Sequence, residues 1–442
     1  MNWFANYFEF EKYKTNMRTE VLAGITTFMT MAYIIFVNPA ILSDAIGKEA
    51  IPSLVTATAL AAGISTIIMG IYAKKPFALA PGMGLNAYFA YGVCIGMGYP
   101  WQVALAAVFV EGLIFVALTL TKFRTAVVNA IPNSQKYAIG AGIGLFLTLI
   151  GLKSAGIVVG SEATLVALGT QNFAKPEFWL AIFGIFLAAA LMVRKTPGAL
   201  LIAIIAVTVL AILVGVTSPP RSIVSLPTME HTFLKLDFAG LISVGAIGVI
   251  FAFFMVDFFD TLGTVTGLSA KAGFIDEKGR IPDAEKILMT DAVATSMGAL
   301  FGTSTTTTYI ESAAGIEEGG RTGMVAIVVG VLFLVFGLLI SPIAEIIPSC
   351  ATAPALILVG FLMMSVIRNI DFEDVTEALP AFFVLATIPF TYSIADGIGV
   401  GFISYCAFKL VAGKAKEVHP LLWALAIVFV AYFLYLGGIL AL

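Results

Sequence analysis

Long apolar runs alternate with short polar breaks along almost the whole of this chain. A helix that crosses the hydrocarbon core of a membrane needs about 20 mostly apolar residues. Several runs are shorter than this, so the pattern predicts that some spans are half-helices or re-entrant pieces, whose backbone must be buried in protein or line a cavity. The predicted spans are residues 21–42, 54–73, 77–97, 101–121, 137–152, 177–193, 198–217, 240–267, 287–301, 303–316, 322–342, 353–367, 379–393, 395–411 and 420–441.

Composition indicates that these runs lie in lipid. Of the 442 residues, 60% are hydrophobic and only 12% are charged. A soluble protein of this length could not cover its apolar surface with so few charges. We therefore expect an all-α, polytopic membrane protein. The net charge of −3 and the absence of a basic cluster give no sign of nucleic-acid binding. Cys94, Cys350 and Cys406 lie in or beside apolar segments, as is typical of packing residues.

The basic residues predict how the chain is oriented. Residues 1–20 are amphipathic and charged, and are expected to lie on the cytoplasmic surface. With the N-terminus inside, 19 of the 24 Lys and Arg residues fall on the cytoplasmic side and 5 outside, in keeping with the positive-inside rule. We expect a multi-pass protein of the plasma membrane, which in a bacterium is the cytoplasmic membrane.

An internal repeat divides the chain into halves. The segment GYPWQVALAAVFVEGLIFVALTL (98–120) aligns with GGRTGMVAIVVGVLFLVFGLLI (319–340), and AIPNSQ (130–135) aligns with IIPSCA (346–351). The first pair of matched segments falls on the fourth and eleventh predicted spans, an offset of seven, and because seven is odd the second half is inverted relative to the first. Inverted repeats are typical of secondary transporters, whose sites lie at the repeat interface near the membrane midplane.

The repeat predicts the organisation of the chain. The last span, 420–441, falls outside a seven-plus-seven scheme and is treated as an additional C-terminal helix; the pattern leaves open whether it crosses and whether 379–411 is one re-entrant unit. The predicted parts are a cytoplasmic N-terminus (1–20), a first seven-span repeat (21–217), an outer connector (218–239), a second repeat (240–411) with an inner loop (268–286), and a C-terminal hydrophobic helix (412–442).

Two spans are poor continuous helices. FALAPGMGLNAYFAYG (77–92) has Pro81 and two glycines in its middle, and GTSTTTTYIESAAG (302–315) has a β-branched run that favours extended backbone. Each recovers helical composition afterwards, following Asn86 and Glu311. The pattern predicts a short extended piece followed by a half-helix in each span. The alternative is a kinked continuous helix whose Thr hydroxyls bond back to the preceding turn.

Carboxyl groups inside spans are costly and usually functional. Asp257 and Asp260 are three residues apart and share a helix face. Two close carboxylates in a low dielectric do not both ionise easily, so one of them is expected to carry a proton. The alternative is that one Asp caps the bend at Gly263.

The remaining carboxyls have separate interpretations: Glu311 in the broken span binds a ligand, Glu111 and Asp291 form polar contacts between helices, and Asp396 caps the helix 395–411.

The residue types near the two broken spans indicate the class of ligand. Carboxylates accept N–H donors, and Phe28, Tyr88, Phe89 and Tyr309 offer flat faces at similar depth. This combination suits a flat heterocycle with N–H groups on its edge. It suits an anion badly, because no Arg or Lys lies near these motifs.

With these motifs the chain resembles the hypoxanthine/guanine/adenine permeases, the AzgA-like branch of the nucleobase–ascorbate (nucleobase:cation symporter) transporters. The resemblance covers nearly the whole chain. The segments that carry it are GITTFMTMAYIIFVNP (24–39), APGMGLNAYF (80–89), VDFFDTLGT (256–264), TTTTYIESAAGI (305–316) and GGRTG (319–323).

The resemblance implies a seven-plus-seven inverted-repeat fold with core and gate domains. It also implies substrate contacts from Asn86, from the pair Asp257 and Asp260, and from Glu311. We favour Asp260 as the contact, because its D-T-L-G pattern resembles the E-x-x-G pattern of uracil and xanthine relatives. Asp257 is then the proton-coupling or supporting partner. Asp260 and Glu311 are further candidates for proton coupling, and we expect Thr307, Thr308 and Phe28 to complete the pocket.

The predicted function is secondary active import of purine nucleobases, with hypoxanthine and guanine favoured over adenine, by proton symport and alternating access. No cofactor is expected beyond the coupling H+, and a homodimer is compatible with the resemblance. Uracil or xanthine transport on the same fold is the alternative within the class, and a passive channel-like pore is the alternative outside it. An intramembrane enzyme is not expected, since the sequence offers no Ser–His pair and no metal cluster.

Overall fold

The computed structural model describes residues 2–121, 130–243, 247–276 and 281–437. Eight helical stretches among them are long and apolar enough to cross a membrane. The helices are α1 (Asn2–Tyr7), α2 (Met17–Met31), α3 (Ile34–Ile46), α4 (Ile51–Ile68), α5 (Met83–Ala87), α6 (Trp101–Thr119), α7 (Asn133–Ser154), α8 (Pro176–Val193), α9 (Ala199–Val214), α10 (Phe238–Ser243), α11 (Ile247–Ala272), α12 (Ala284–Phe301), α13 (Ser312–Glu317), α14 (Gly323–Leu332), α15 (Ser341–Ile346), α16 (Ser349–Met364), α17 (Val375–Thr391), α18 (Ile394–Val411) and α19 (Pro420–Leu436).

Short strands interrupt the helices in two places. β1 (Leu79–Pro81) pairs antiparallel with β4 (Thr306–Thr308), and β2 (Val158–Ser161) pairs antiparallel with β3 (Leu165–Leu168). The first sheet confirms that the predicted spans 77–97 and 303–316 are broken, each with an extended piece before a short helix. The second sheet is an exposed hairpin between α7 and α8 that the apolar pattern did not predict.

The helices pack in two groups. The core group consists of α2 to α6 and α11 to α14, with β1 and β4 at its centre; the gate group consists of α7 to α9 and α16 to α19. In the gate group α7 and α16 lie against each other, and each begins directly after a proline, Pro132 and Pro348, in extended conformation. These are the prolines that the sequence repeat aligned, so equivalent positions of the two halves begin equivalent helices.

Close helix packing depends on glycine at the centre of the α7–α16 contact. A β-carbon on Gly144 would lie 2.5 Å from the carbonyl oxygen of Gly360. The two backbones can therefore approach at this depth only because neither residue has a side chain.

One predicted cap is wrong. Asp396 was expected to cap the helix 395–411, but α18 begins earlier and is capped by Ser393, whose hydroxyl accepts from the Asp396 backbone N–H at 3.2 Å. Ser393 has the extended backbone that a cap requires, whereas Asp396 lies within the first turn. Tyr392, in left-handed conformation, separates α17 from α18.

Candidate functional site

The two broken spans meet where β1 and β4 pair, and we call this pair of strands the crossing. Ala80 lies opposite Thr307, and beyond the paired residues the Tyr309 N–H donates to the Ala78 carbonyl at 2.8 Å. This pairing satisfies backbone groups that a broken helix would otherwise leave bare at membrane depth. The short helices α5 and α13 each follow one of the two strands, and the strands run antiparallel, as an inverted repeat requires.

Most hydroxyls of the run 303–308 hold the crossing in place. Because successive side chains of an extended segment point to opposite sides, the hydroxyls reach several different helices. The contacts are Thr303 with Asn38 of α3 at 2.8 Å, Ser304 with Asn86 of α5, Thr307 with Thr261 of α11 at 2.8 Å, and Thr308 with Asp291 of α12 at 2.7 Å.

This arrangement changes the role expected for Thr307 and Thr308. Both were predicted to contact the ligand, but both side chains are buried and their hydroxyls are used by neighbouring helices. The structure therefore places them as residues that fasten β4 and not as groups that face an open space.

Asp291 is the main attachment of β4. Its Oδ1 accepts from both the backbone N–H and the hydroxyl of Thr308, each at 2.7 Å, and its Oδ2 accepts from the Thr261 hydroxyl at 2.7 Å. The sequence predicted a polar contact between helices. The observed contact joins α12 both to α11 and to the strand, so Asp291 fixes the position of the crossing.

Glu311 lies directly before α13 and is half-buried. Its Oε1 accepts from the hydroxyl of Tyr33 at 2.6 Å. Tyr33 is fully buried at the interruption between α2 and α3, and sequence reasoning missed it. The available signal was a hydroxyl inside an apolar span that also contains Pro39, which weakens the local helix.

The two Asp residues of α11 differ in their surroundings. Asp260 is half-buried and lies near Glu311 and Asp291. Asp257, one turn earlier, is fully buried, and its two oxygens accept from Thr261 at 3.4 Å and from Thr295 at 3.2 Å. Of the pair, Asp260 is the one that keeps accessible surface beside Glu311.

Asn86 belongs to the crossing. It is fully buried in α5, its Nδ2 donates to the Pro81 carbonyl at 3.4 Å, and its Oδ1 accepts from Ser304. The structure thus joins Asn86 to both broken spans, through Pro81 and Ser304.

Phe28 has different neighbours. Its ring packs edge-on against Phe333 at 5.1 Å between centroids and tilted against Phe336 at 6.0 Å. Both partners lie in the π-helical turn that follows α14. The structure assigns Phe28 to this aromatic cluster, and among the described contacts none joins it to Glu311 or Asp260.

A separate cavity of about 500 Å³ lies between α7, α8 and α16. None of the predicted site residues lines it. Its lining includes Lys153, Asn172, Lys175, Glu177 and Cys350.

The crossing can bind hydrogen-bond donors. Glu311 and Asp260 are acceptors with accessible surface, and Tyr309, whose hydroxyl donates to the Pro81 carbonyl at 2.6 Å, lies close to both. Among the residues that the structure describes, no group of three or more His, Cys, Asp or Glu side chains could hold a metal ion. Carboxylate acceptors beside an aromatic ring at a broken-helix crossing are suited to a small polar molecule with N–H groups.

Solved structures with the same fold are membrane transporters. The transmembrane domain of a cyanobacterium bicarbonate transporter, BicA, matches with a TM-score of 0.63 and 16% identity, over 87% of this chain and 97% of that one. SLC26A9 matches with a TM-score of 0.65 and 10% identity, over 89% of this chain and 65% of that one. At these identities the match concerns the fold alone, and it confirms the predicted all-α, seven-plus-seven inverted repeat. The fold and the crossing define a multi-pass membrane protein built from two inverted repeats.

The model of the Permease family matches residues 18–400, and the chain belongs to this family. A protein of Methanocaldococcus jannaschii named as a permease is 54% identical over 439 residues, covering 99% of this chain and 100% of the relative. The guanine/hypoxanthine permease PbuG of Bacillus subtilis is 42% identical over 440 residues, covering 97% and 99%. The adenine permease AdeP of Escherichia coli is 42% identical over 424 residues, covering 96% and 94%. The resemblance drawn from the sequence motifs is confirmed.

Proposed function

We propose that this protein imports purine nucleobases by proton symport, with hypoxanthine and guanine as favoured substrates and adenine as a further one. The observation that carries the proposal is the pair of half-buried carboxyls, Glu311 and Asp260, beside the crossing of β1 and β4. The names of the two relatives at 42% identity support purines as the substrate class.

The geometry supports a specific mode of binding. Tyr33 occupies one oxygen of Glu311, which leaves the second oxygen for an N–H group on the edge of the base. In this mode Asp260 accepts a second N–H, and Tyr309, whose hydroxyl interacts electrostatically with both carboxyls, borders the bound base. Since the base enters beside the core group and must leave on the other side of the membrane, the core group moves against the gate group in an alternating-access cycle.

The test is uptake of labelled hypoxanthine by cells that lack their own purine carriers. Uptake should be saturable, abolished by a protonophore, and competed by unlabelled guanine. Glu311→Gln should lower the rate of transport at least about 100-fold, because it replaces a charged group that accepts hydrogen bonds from the substrate. Each 1.4 kcal/mol of lost interaction free energy corresponds to about a tenfold change. Glu345→Gln, the same change at an exposed position, is the control. Normal uptake by Glu311→Gln would refute the proposed site.

The same assay separates the alternative functions. If uracil or xanthine competes better than guanine and adenine, the protein is a transporter of the same fold with a different substrate. Uptake that neither saturates nor responds to a protonophore would indicate a passive pore.

A further inference from the structure

A second pair of carboxyls, Glu111 and Asp257, lies behind the crossing. Glu111 is fully buried in α6, and no described residue donates a hydrogen bond to either of its carboxylate oxygens. Its carboxyl is within hydrogen-bonding reach of the Asp257 carboxyl on α11. The sequence predicted that Glu111 would make a polar contact between helices; the contact exists, but its partner is another acid.

Neither helix of the pair supplies a compensating cation. α6 contains no Lys or Arg. The basic residue of α11, Lys271, pairs with Glu317, and Lys286 of α12 pairs with Asp283 at 3.1 Å. Two ionised carboxylates in contact repel each other and can only accept hydrogen bonds. A single proton between them supplies the missing donor and removes one of the two buried charges.

The other titratable groups around α6 increase the preference for a bound proton. The charged neighbour that acts directly on both carboxyls is Asp291 of α12, and Asp260 acts on Asp257 from the next turn of α11. All of these are acids, so each adds to the cost of a second negative charge at the pair. Of the other elements packed against α6, α10 has no titratable side chain, and the helical stretch that follows α5 contributes Tyr88, Tyr91 and Cys94. Of those packed against α11, α7 carries Lys136 and Lys153 near its two ends, α13 carries Glu317, which pairs with Lys271, and α18 carries Asp396 and Lys409, of which Lys409 pairs with Glu377.

We propose that Glu111 and Asp257 share one proton, and that this pair is the place where the transported proton is held. The inference rests on the proposed function and names the proton site within it. It assigns Glu111, which no sequence motif singled out for coupling, a direct role.

Hydroxyl groups link the pair to the strand that borders the substrate. The Thr295 hydroxyl lies 3.2 Å both from Asp257 Oδ2 and from the Thr306 carbonyl oxygen. The Thr261 hydroxyl lies 3.4 Å from Asp257, 2.7 Å from Asp291 and 2.8 Å from Thr307. A hydroxyl has one proton to donate. When the pair loses its shared proton, Asp257 becomes charged and attracts both hydroxyls. Thr295 then turns away from the Thr306 carbonyl of β4, and Thr261 turns away from Asp291, which holds β4. The position of the strand therefore responds to the protonation of the pair.

The experiment uses the purified full chain in proteoliposomes with labelled hypoxanthine. Exchange without a gradient reports binding and alternating access, and accumulation under an inward pH gradient reports coupling. With one proton per base, a gradient of one pH unit should sustain about tenfold accumulation by the wild type, since one unit of proton potential equals a tenfold ratio. Glu111→Gln donates permanently to Asp257 and mimics the protonated pair, so it should retain exchange and lose accumulation entirely.

Two further variants make the test decisive. Asp396→Asn is the control, because Asp396 also has a carboxyl oxygen without a described partner but lies on α18 of the gate group. This variant should keep both exchange and accumulation. Glu111→Asp keeps a titratable group and should keep part of the accumulation. Accumulation by Glu111→Gln equal to that of the wild type, or loss of exchange in both Glu111 variants, would overturn the proposal. A wild type that neither exchanges nor accumulates hypoxanthine would instead refute the proposed function itself.

Discussion

At the scale of single residues, the hydroxyl of Tyr33 fixes the carboxyl of Glu311. The bond is 2.6 Å long, and Tyr33 is buried completely. A carboxylate with one oxygen held in this way presents the other oxygen in a defined direction. The side chain therefore loses less conformational entropy when a ligand binds. Tyr33 is thus a positioning residue for Glu311, supplied by a helix distant from it in the sequence.

Removing this hydroxyl should weaken substrate binding. We expect Tyr33→Phe to raise the Michaelis constant for hypoxanthine by about tenfold, because a hydrogen bond to a charged group contributes about 1.5–3 kcal/mol. The measurement is the initial rate of uptake over a range of concentrations. Tyr91→Phe removes a similar bond, from a tyrosine hydroxyl to Asp44 at 2.8 Å, away from the crossing, and should leave the constant unchanged. Equal constants for the two variants would contradict the assignment.

At the scale of secondary-structure elements, β4 is an extended segment that could not persist alone in a membrane. It is stable because β1 pairs with its backbone and because surrounding helices hold its side chains. Asp291 makes the most direct of these attachments, since it accepts from both the backbone and the side chain of Thr308. The strand is therefore held through both its backbone and its side chains.

Loss of the Asp291 carboxyl should destabilise the protein. Asp291→Ala removes the acceptor of both the buried Thr308 N–H and the Thr308 hydroxyl, and an unsatisfied buried donor costs about 1–3 kcal/mol. We expect a lower temperature of thermal unfolding for the purified protein and reduced uptake. Thr308→Val removes only one of the donors and should give a smaller effect. An unchanged unfolding temperature in Asp291→Ala would show that β4 is held by other contacts.

At the scale of the whole molecule, the crossing belongs to the core group but lies close to the gate group. Gly84 of α5 faces Ile143 of α7, which is a contact between the two groups. If transport requires the groups to move against each other, a covalent link at this contact should stop it.

The pair Gly84→Cys and Ile143→Cys tests this requirement. A β-carbon on Gly84 would lie 3.9 Å from that of Ile143, a separation that suits a disulfide. In a background without the native cysteines, oxidation of the pair should abolish uptake and a reductant should restore it.

A link within one group is the matched control. A β-carbon on Gly401 of α18 would lie 3.7 Å from that of Val384 of α17, so a disulfide there joins two helices of the gate group. Uptake should survive oxidation of Gly401→Cys with Val384→Cys. Continued uptake with a fully formed 84–143 disulfide would exclude relative motion at this contact.

The membrane-spanning helices, the two breaks among them and the buried carboxyls can be predicted from the sequence alone. The low charge content and the long apolar runs required helices in a membrane, and the Pro, Gly and β-branched residues of 77–92 and 302–315 required breaks in two of them. The carboxyls Asp260 and Glu311 stood out because charged groups are rare in spans. Such features act locally, through backbone conformation and solvation, and can be seen without knowing what lies beside them.

The tertiary structure alone decided which polar groups meet. Tyr33 and Glu311 are 278 positions apart, and Asn38 and Thr303 are 265 apart, so no local pattern could pair them. For the same reason no local pattern shows that the Thr307 hydroxyl bonds to Thr261 and the Thr308 hydroxyl to Asp291. A hydroxyl in a membrane must find a partner, but the partner is set by how the helices pack around it. The sequence determined that polar groups are buried here, and the packing of the two repeats determined which of them contact one another.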